Sequence, residues 1–339
     1  MHARRYLKAL TLIAVMSAAC SNQPAPAEKP AEPPKPAWTA DQSAQKYKDC
    51  WDQFNKKDWT AFRSCYGAGV TVEAVDSGTP SVSGLDAAIK DAQGFVEVFP
   101  DITGALQLVL ASKDTAAGLA MVTGTHGGPL PSPDGKAIPA TNKKVGYMMG
   151  LVVDLADGAV AKERRYDDAT TLMAQIGVIK ASTRPVMAAG AAAPTVVVST
   201  GSDAERANVE TFRANVAAFN AHDAKTLAAM NAPDSVFHDY TQAKDFDGTG
   251  NVAAVAELFK GFPDAKIETT STWGAGDYVV TEGAFSGTNK AAVPSMGIRK
   301  PTGKSATVRF MEVTKIEAGK IKEDWLIFNS AAFAAQLGL

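Results

Sequence analysis

The sequence is short of the residues that announce a metal or redox centre. Among 339 residues there are three cysteines and four histidines. His126, His222 and His238 have no ligand-like spacing, so no zinc site and no other metal is expected. A large excess of either charge is missing too: the formal balance is -2, and nothing in it attracts a nucleic acid. The apolar run from Ala9 to Ala19 falls short of the roughly 20 residues that a membrane-spanning helix needs. A phosphate loop is excluded as well, because Gly303-Lys304-Ser305 has Ile298 where the upstream glycine belongs.

What is present begins at the N-terminus. Arg4, Arg5 and Lys8 precede the apolar run, Cys20 follows it, and no acidic residue comes before that cysteine. This is the pattern of an export signal over residues 1–19. Val15 to Cys20 resembles the lipobox of bacterial lipoproteins, with Ser17 where leucine is usual, and implies lipidation of Cys20; an ordinary cleaved signal is the alternative. Gln23 to Pro36 is almost entirely Pro, Ala, Glu and Lys, which cannot bury apolar surface, so residues 20–38 read as a lipidated cysteine on a disordered tether. Ser21 resembles the residue that sends lipoproteins to the outer membrane. The expected location is the bacterial cell envelope, facing the periplasm or the surface, with the membrane as a partner through the lipid. Outside the cytoplasm, Cys50 and Cys65 are expected to pair. Closing a loop of about 15 residues contributes about 3 kcal/mol.

The rest of the chain says one thing twice. Phe99-Pro100-Asp101 returns as Phe262-Pro263-Asp264, Thr123-Gly124-Thr125-His126 as Ser286-Gly287-Thr288-Asn289, and Gln175-Ile176-Gly177 as Gln336-Leu337-Gly338. Phe54-Asn55 and Phe219-Asn220 keep the same order, so two copies of one fold are expected, at 39–178 and 204–339, joined by a linker over 179–203. In each copy the apolar spacing predicts a helix (Asp41 to Phe54 in the first) and a second helix capped by Asp58 or Asp223. A short strand and a third helix ending at Phe-Pro-Asp follow, then a strand meander with turns at Asp134-Gly135 and Thr302-Gly303. That order is α+β: helices packed on one curved antiparallel sheet. The sulfurs of Cys50 and Cys65 are replaced together, by Asn215 and Met230.

Phe-Pro-Asp after an amphipathic helix, a strand ending Gly124-Thr125-His126-x-Gly128, and Asp168 nine residues before Gly177 resemble the SnoaL-like polyketide cyclases. The resemblance implies a cone-shaped fold like that of nuclear transport factor 2 and the ketosteroid isomerases. It implies an acidic group at Asp168 acting as general acid or base beside a carbonyl, with no cofactor. Strand alternation turns His126 inward, Asp168 shares a face of the last strand with Tyr166, and Glu73 stands where the second copy has His238. The first copy is therefore the candidate cyclase, isomerase or hydrolase on a small apolar carbonyl compound, using Asp168, His126 and Glu73. The second copy has Asn289 and Asn329 for His126 and Asp168. With His238 and Tyr166 these amides are ligand-binding candidates, since an amide holds a ligand but shuttles no proton. The alternative is a non-catalytic binder of a small apolar molecule or lipid, or an envelope scaffold, in which the polar groups satisfy one another. The linker, at about 25 residues, permits the copies to pair with each other, or the chain with a second copy.

Overall fold

The computed structural model describes residues 38–131 and 136–339. The signal, Cys20, the tether and the Asp134-Gly135 turn lie outside the described residues. Domain 1 runs α1 (Ala40–Lys56), α2 (Trp59–Arg63), β1 (Tyr66–Ala74), β2 (Val82–Ser83), α3 (Leu85–Val98), β3 (Thr103–Ala111), β4 (Thr115–Thr125), β5 (Lys144–Ala156), β6 (Ala159–Tyr166) and α4 (Ala169–Gln175). A strand from the connecting segment, β7 (Thr195–Val198), follows. Domain 2 repeats the plan with α5 (Asp203–Asn220), α6 (Ala224–Met230), β8 (Asn231–Asp239), β9 (Phe246–Asp247), α7 (Gly248–Gly261), β10 (Lys266–Ala275), β11 (Tyr278–Thr288), β12 (Ser305–Glu317), β13 (Lys320–Phe328) and α8 (Ser330–Leu337).

The recurring motifs are clamps between side chains and backbone. Asp101 accepts from the amide and hydroxyl of Thr125 at 2.6 and 2.8 Å, tying the end of α3 to the end of β4. Asp264 does the same with Thr288. Asn55 exchanges two hydrogen bonds with the backbone of Gly104, and Asn220 two with Ile267, which seats the first helix of each domain on β3 or β10. Gln175 grips Gly146 and Gln336 grips Thr307, docking the last helices. Each clamp satisfies edge or terminal backbone groups that would otherwise be unpaired. Helix starts obey the same logic: Thr39 with Gln42, and Ser202 with Glu205, form capping boxes. Cys50 and Cys65 are disulfide-bonded, with Cα atoms 5.8 Å apart.

The sheets run β2-β1-β6-β5-β4-β3-β7 and β10-β11-β12-β13-β8-β9. Each is an antiparallel meander with one parallel neighbour at β1/β6 or β8/β13, and in domain 1 the connecting segment adds β7 parallel to β3. That segment is docked elsewhere as well, since the Met187 amide donates to Gly146 and Arg184 reaches into domain 2. Helices cover one face of each sheet. The opposite faces meet: Leu119, Met148, Val152 and Tyr166 form one buried core with Val280, Met311, Val313 and Ile327. Contact is close enough that a Cβ placed on Gly150 would sit 2.6 Å from the Met311 sulfur. Inside this seam Arg164 is bidentate to Glu282 (2.5 and 3.0 Å) and to Asp154 (2.6 and 2.9 Å), and the Tyr166 hydroxyl donates to Glu282 at 2.7 Å.

Candidate functional site

Strand register fixes which residues of the two domains are equivalent. Leu151 pairs with Arg165 and Val153 with Glu163 across β5/β6, as Glu312 pairs with Leu326 and Thr314 with Asp324 across β12/β13. Arg165 therefore corresponds to Leu326, Glu163 to Asp324 and Leu151 to Glu312. Tyr66, opposite Val160, corresponds to Asn231, opposite Ile321. Trp59, the first residue after the Asp58 cap, corresponds to Ala224 after Asp223.

In domain 1 these positions are filled. Glu163 is buried and receives the Tyr66 hydroxyl at 2.7 Å and Arg165 at 2.5 Å, and Arg165 also reaches Asp91 at 2.6 Å. Trp59 stacks edge-on against Phe54 and Phe62. Domain 2 has lost the large side chains, and Ala224, Asn231 and Leu326 now line a cavity of about 210 Å³. Seven phenylalanines and several aliphatic residues from α5, α6, α7, α8 and the sheet make its wall apolar.

Three carboxyl groups face this cavity: Glu312, Asp324 and Asp239. Glu312 and Asp324 are diagonal neighbours on adjacent strands, which places their Cα atoms about 7 Å apart. Asp324 accepts the Thr314 hydroxyl, whereas Glu312 has no hydrogen bond or ion pair among the described residues. Burial raises the pKa of both, and the neighbouring Asp324 charge raises Glu312 further, well above the usual carboxylate range. Asp239 is pushed up to about 6 by burial, against two hydrogen bonds from Thr241 that pull it down. No lysine, arginine or histidine lines the cavity among the described residues.

The sequence-based site residues lie elsewhere. The reading that puts Asp168 on the last strand is corrected: β6 ends at Tyr166 and Asp168 is the N-cap of α4. Its two oxygens accept four hydrogen bonds, from the amide and hydroxyl of Thr171 and from those of Ser330 in domain 2. Asn329 is the matching cap of α8, and its amide donates to the Asp76 carbonyl across the seam. Glu73 pairs with Arg309 at 2.7 Å, also across the seam, and Tyr166 binds Glu282 there. His126 is fully buried against Phe99, where desolvation lowers its pKa, and its Nδ1 accepts the Thr141 amide. Asn289 does the same for Thr302, so histidine and asparagine hold the same β4–β5 or β11–β12 connection. Asp168, His126 and Glu73 thus do not converge on one cavity. His238 lies on the seam face between Tyr240 and Trp325 and contacts Asp245 and Glu323 at 2.9 Å. Burial works against its charge, but the two carboxylates outweigh that and raise its pKa.

The signal for the residues that do face the cavity lay in strand alternation. Val308, Phe310, Glu312 share one face of β12 and Asp324, Leu326, Phe328 one face of β13, so each carboxyl interrupts an apolar stripe.

The chain matches the SnoaL-like polyketide cyclase model over residues 41–176 and again over 209–337. It belongs to that family, with two tandem domains. No curated protein matches it. Among solved structures, AclR, a putative hydroxylase from Streptomyces galilaeus, is 22% identical with a TM-score of 0.36, covering 40% of this chain and 97% of its own. IdmH, a putative polyketide cyclase from Streptomyces antibioticus, is 27% identical with a TM-score of 0.34, covering 39% and 99%. A putative SnoaL-like polyketide cyclase from Jannaschia sp. CCS1 is 20% identical with a TM-score of 0.37, covering 44% and 99%.

Proposed function

We propose that domain 2 is the working domain. It takes a small, mostly apolar carbonyl compound into its cavity and moves a proton on it without a cofactor, in a cyclase-like reaction, while domain 1 serves as scaffold. The observation that carries this reading is the Glu312 and Asp324 pair, one half-buried and the other buried, in an apolar cavity that no cationic side chain lines among the described residues. Two close carboxyls in such a place cannot both ionise near neutral pH, so the pair keeps a proton. The protonated member, Glu312, donates to the carbonyl oxygen; the ionised member, Asp324, removes a proton from the adjacent carbon. Asp168 is a poor candidate for the same role, because four donors already occupy its oxygens.

The test is to incubate purified full-length protein with an extract of the producing cells and follow which compounds are consumed. Glu312→Gln and Asp324→Asn are expected to lower consumption by 10²-fold or more, on the order of what removal of a general acid or base costs. If Asp168→Asn abolishes consumption while Glu312→Gln leaves it intact, the chemistry belongs to domain 1 and the reading fails.

A further inference from the structure

The ionisable groups of the domain 2 cavity are all acidic. Three carboxyls, a few amides and the Ser295 hydroxyl line it, with no basic side chain among the described residues. In domain 1 the equivalent of Asp324, Glu163, is neutralised by Arg165. Domain 2 has Leu326 at that position and no cation on the cavity wall among the described residues, so the wall is acidic and is offset only in part by His238 and Arg184, which lie outside the lining. A neutral carbonyl compound needs the Glu312 and Asp324 pair alone. Asp239 is left over.

Asp239 sits where a second recognition point would be. It lies opposite Leu326 and two residues beyond Phe237, which faces Asp324, so by strand register it stands about 8 Å from Asp324 on the next strand and about 10 Å from Glu312 two strands away. One of its oxygens accepts from Thr241, and no hydrogen bond engages the other among the described residues. Arg184 of the connecting segment comes close enough for its charge to favour the ionised Asp239 carboxylate, but its hydrogen bonds go to the Asp239 backbone oxygen and the Asp245 carboxylate and its guanidinium lies over Tyr240. Asp168, at the start of α4, bears on Asp239 with a like charge. Phe237 and Phe328 flank it on the same sheet face, and Phe246 pairs with Phe237. A carboxylate amid aromatic faces is the environment that attracts an organic ammonium, by charge and by ring quadrupole together.

We infer that the compound bound in domain 2 carries a positively charged nitrogen, an organic ammonium seated against Asp239 and these phenylalanine rings. Its apolar body then runs toward Glu312 and Asp324. The inference rests on the reading of domain 2 as the working domain and names the class of its substrate. It also accounts for the third carboxyl.

Isothermal titration of the full-length protein with hexyltrimethylammonium, 2-octanone and octanoate tests it. Hexyltrimethylammonium keeps its charge at every pH, so any pH dependence belongs to the protein. It is expected to bind at pH 7 more tightly than the ketone, and octanoate not at all. With Asp239 titrating at about 6, affinity should fall about tenfold between pH 7 and pH 5, because only the ionised carboxylate pairs with the cation. Asp239→Asn should weaken binding at least tenfold and remove most of the pH dependence, leaving only the smaller part that Asp324 contributes, while Asp41→Asn, at an exposed carboxylate of domain 1, should leave the cation bound. Circular dichroism of each variant controls for folding, and the pH series needs no variant at all. Ketone binding as tight as the cation's, a flat pH profile, or an Asp239→Asn variant that binds normally overturns the inference. If Leu326→Trp expels the ketone and the cation never binds, the cavity reading stands and the charge assignment falls. If Leu326→Trp changes nothing for any probe, both fall.

Discussion

In domain 1 a buried carboxylate, Glu163, is closed off by Tyr66 at 2.7 Å and Arg165 at 2.5 Å, and in domain 2 its counterpart Asp324 shares the wall of a cavity with Asn231 and Leu326. One frame has been used for two purposes. The clamps at Asp101 and Asp264, Asn55 and Asn220, Gln175 and Gln336 are kept, so the backbone geometry is the same. What differs is side-chain volume and charge on the concave face. Tyr66 and Arg165 turn the domain 1 interior into a closed ion network, and their loss turns the same space in domain 2 into a binding chamber. A pocket in this fold is thus a matter of a few side chains and does not require a change of architecture.

The comparison breaks most visibly at Arg165. Arg165→Leu copies the domain 2 residue into domain 1 and strands Glu163 and Asp91 without their cation. Leaving buried charge uncompensated is expected to cost about 3–5 kcal/mol, read as a lower midpoint in urea. Arg165→Leu combined with Glu163→Leu should recover much of that, since the charge needing compensation is gone. If the single variant is as stable as the parent, the closed interior of domain 1 is held by something other than this network.

A second test uses acidity. In domain 2 the folded pKa of Glu312 is raised, so above about pH 4 the folded state binds more protons than the unfolded one. Its stabilising contribution is complete below the unfolded value and is lost as pH rises toward the folded one. Up to about 1.4 kcal/mol per pH unit is at stake for each proton of difference. Glu312→Gln should flatten that part of the profile, measured by urea unfolding at pH 5, 6, 7 and 8. An unchanged slope would mean that Glu312 is charged or solvated in the folded state, and the contrast with domain 1 would lose its electrostatic half.

Much of the frame was legible in the sequence because its signals are local. Asp58 and Asp223 as caps, proline at the end of α3 and α7, and the repeated Phe-Pro-Asp and Gln-x-Gly anchors each work within a turn or one clamp. The site was less legible because its logic is tertiary. Replacement of His126 by Asn289 and of Asp168 by Asn329 looks from the sequence like loss of proton chemistry. In the structure both members of each pair accept the same backbone amides: His126 and Asn289 hold a strand connection, and Asp168 and Asn329 cap a helix. An amide oxygen does that work as well as a carboxylate or an imidazole. The pattern Asp168-x-x-Thr171 was open to an N-cap reading, but the strand reading ran two residues too far. Conversely Glu312 recurs in no motif, and only its place on an apolar strand face sets it apart.

The smallest expected effect is at Asp168, and it separates frame from site most cleanly. Asp168→Asn keeps one acceptor oxygen and puts an amide where the other was. The hydroxyls of Thr171 and Ser330 can rotate to accept from that amide, while one backbone amide loses its partner. The cost expected is about 1 kcal/mol, within the range for changing a helix cap, and Asn329 already shows an amide serving at the equivalent position of α8. Thermal unfolding should register this small loss, and the affinity of the domain 2 cavity for hexyltrimethylammonium should not move. A large loss of affinity with little loss of stability would mean that Asp168 acts on the cavity through Asp239, whose pKa it already raises. The two domains would then be coupled through their seam, and the division between a closed domain and a working one would have to be redrawn.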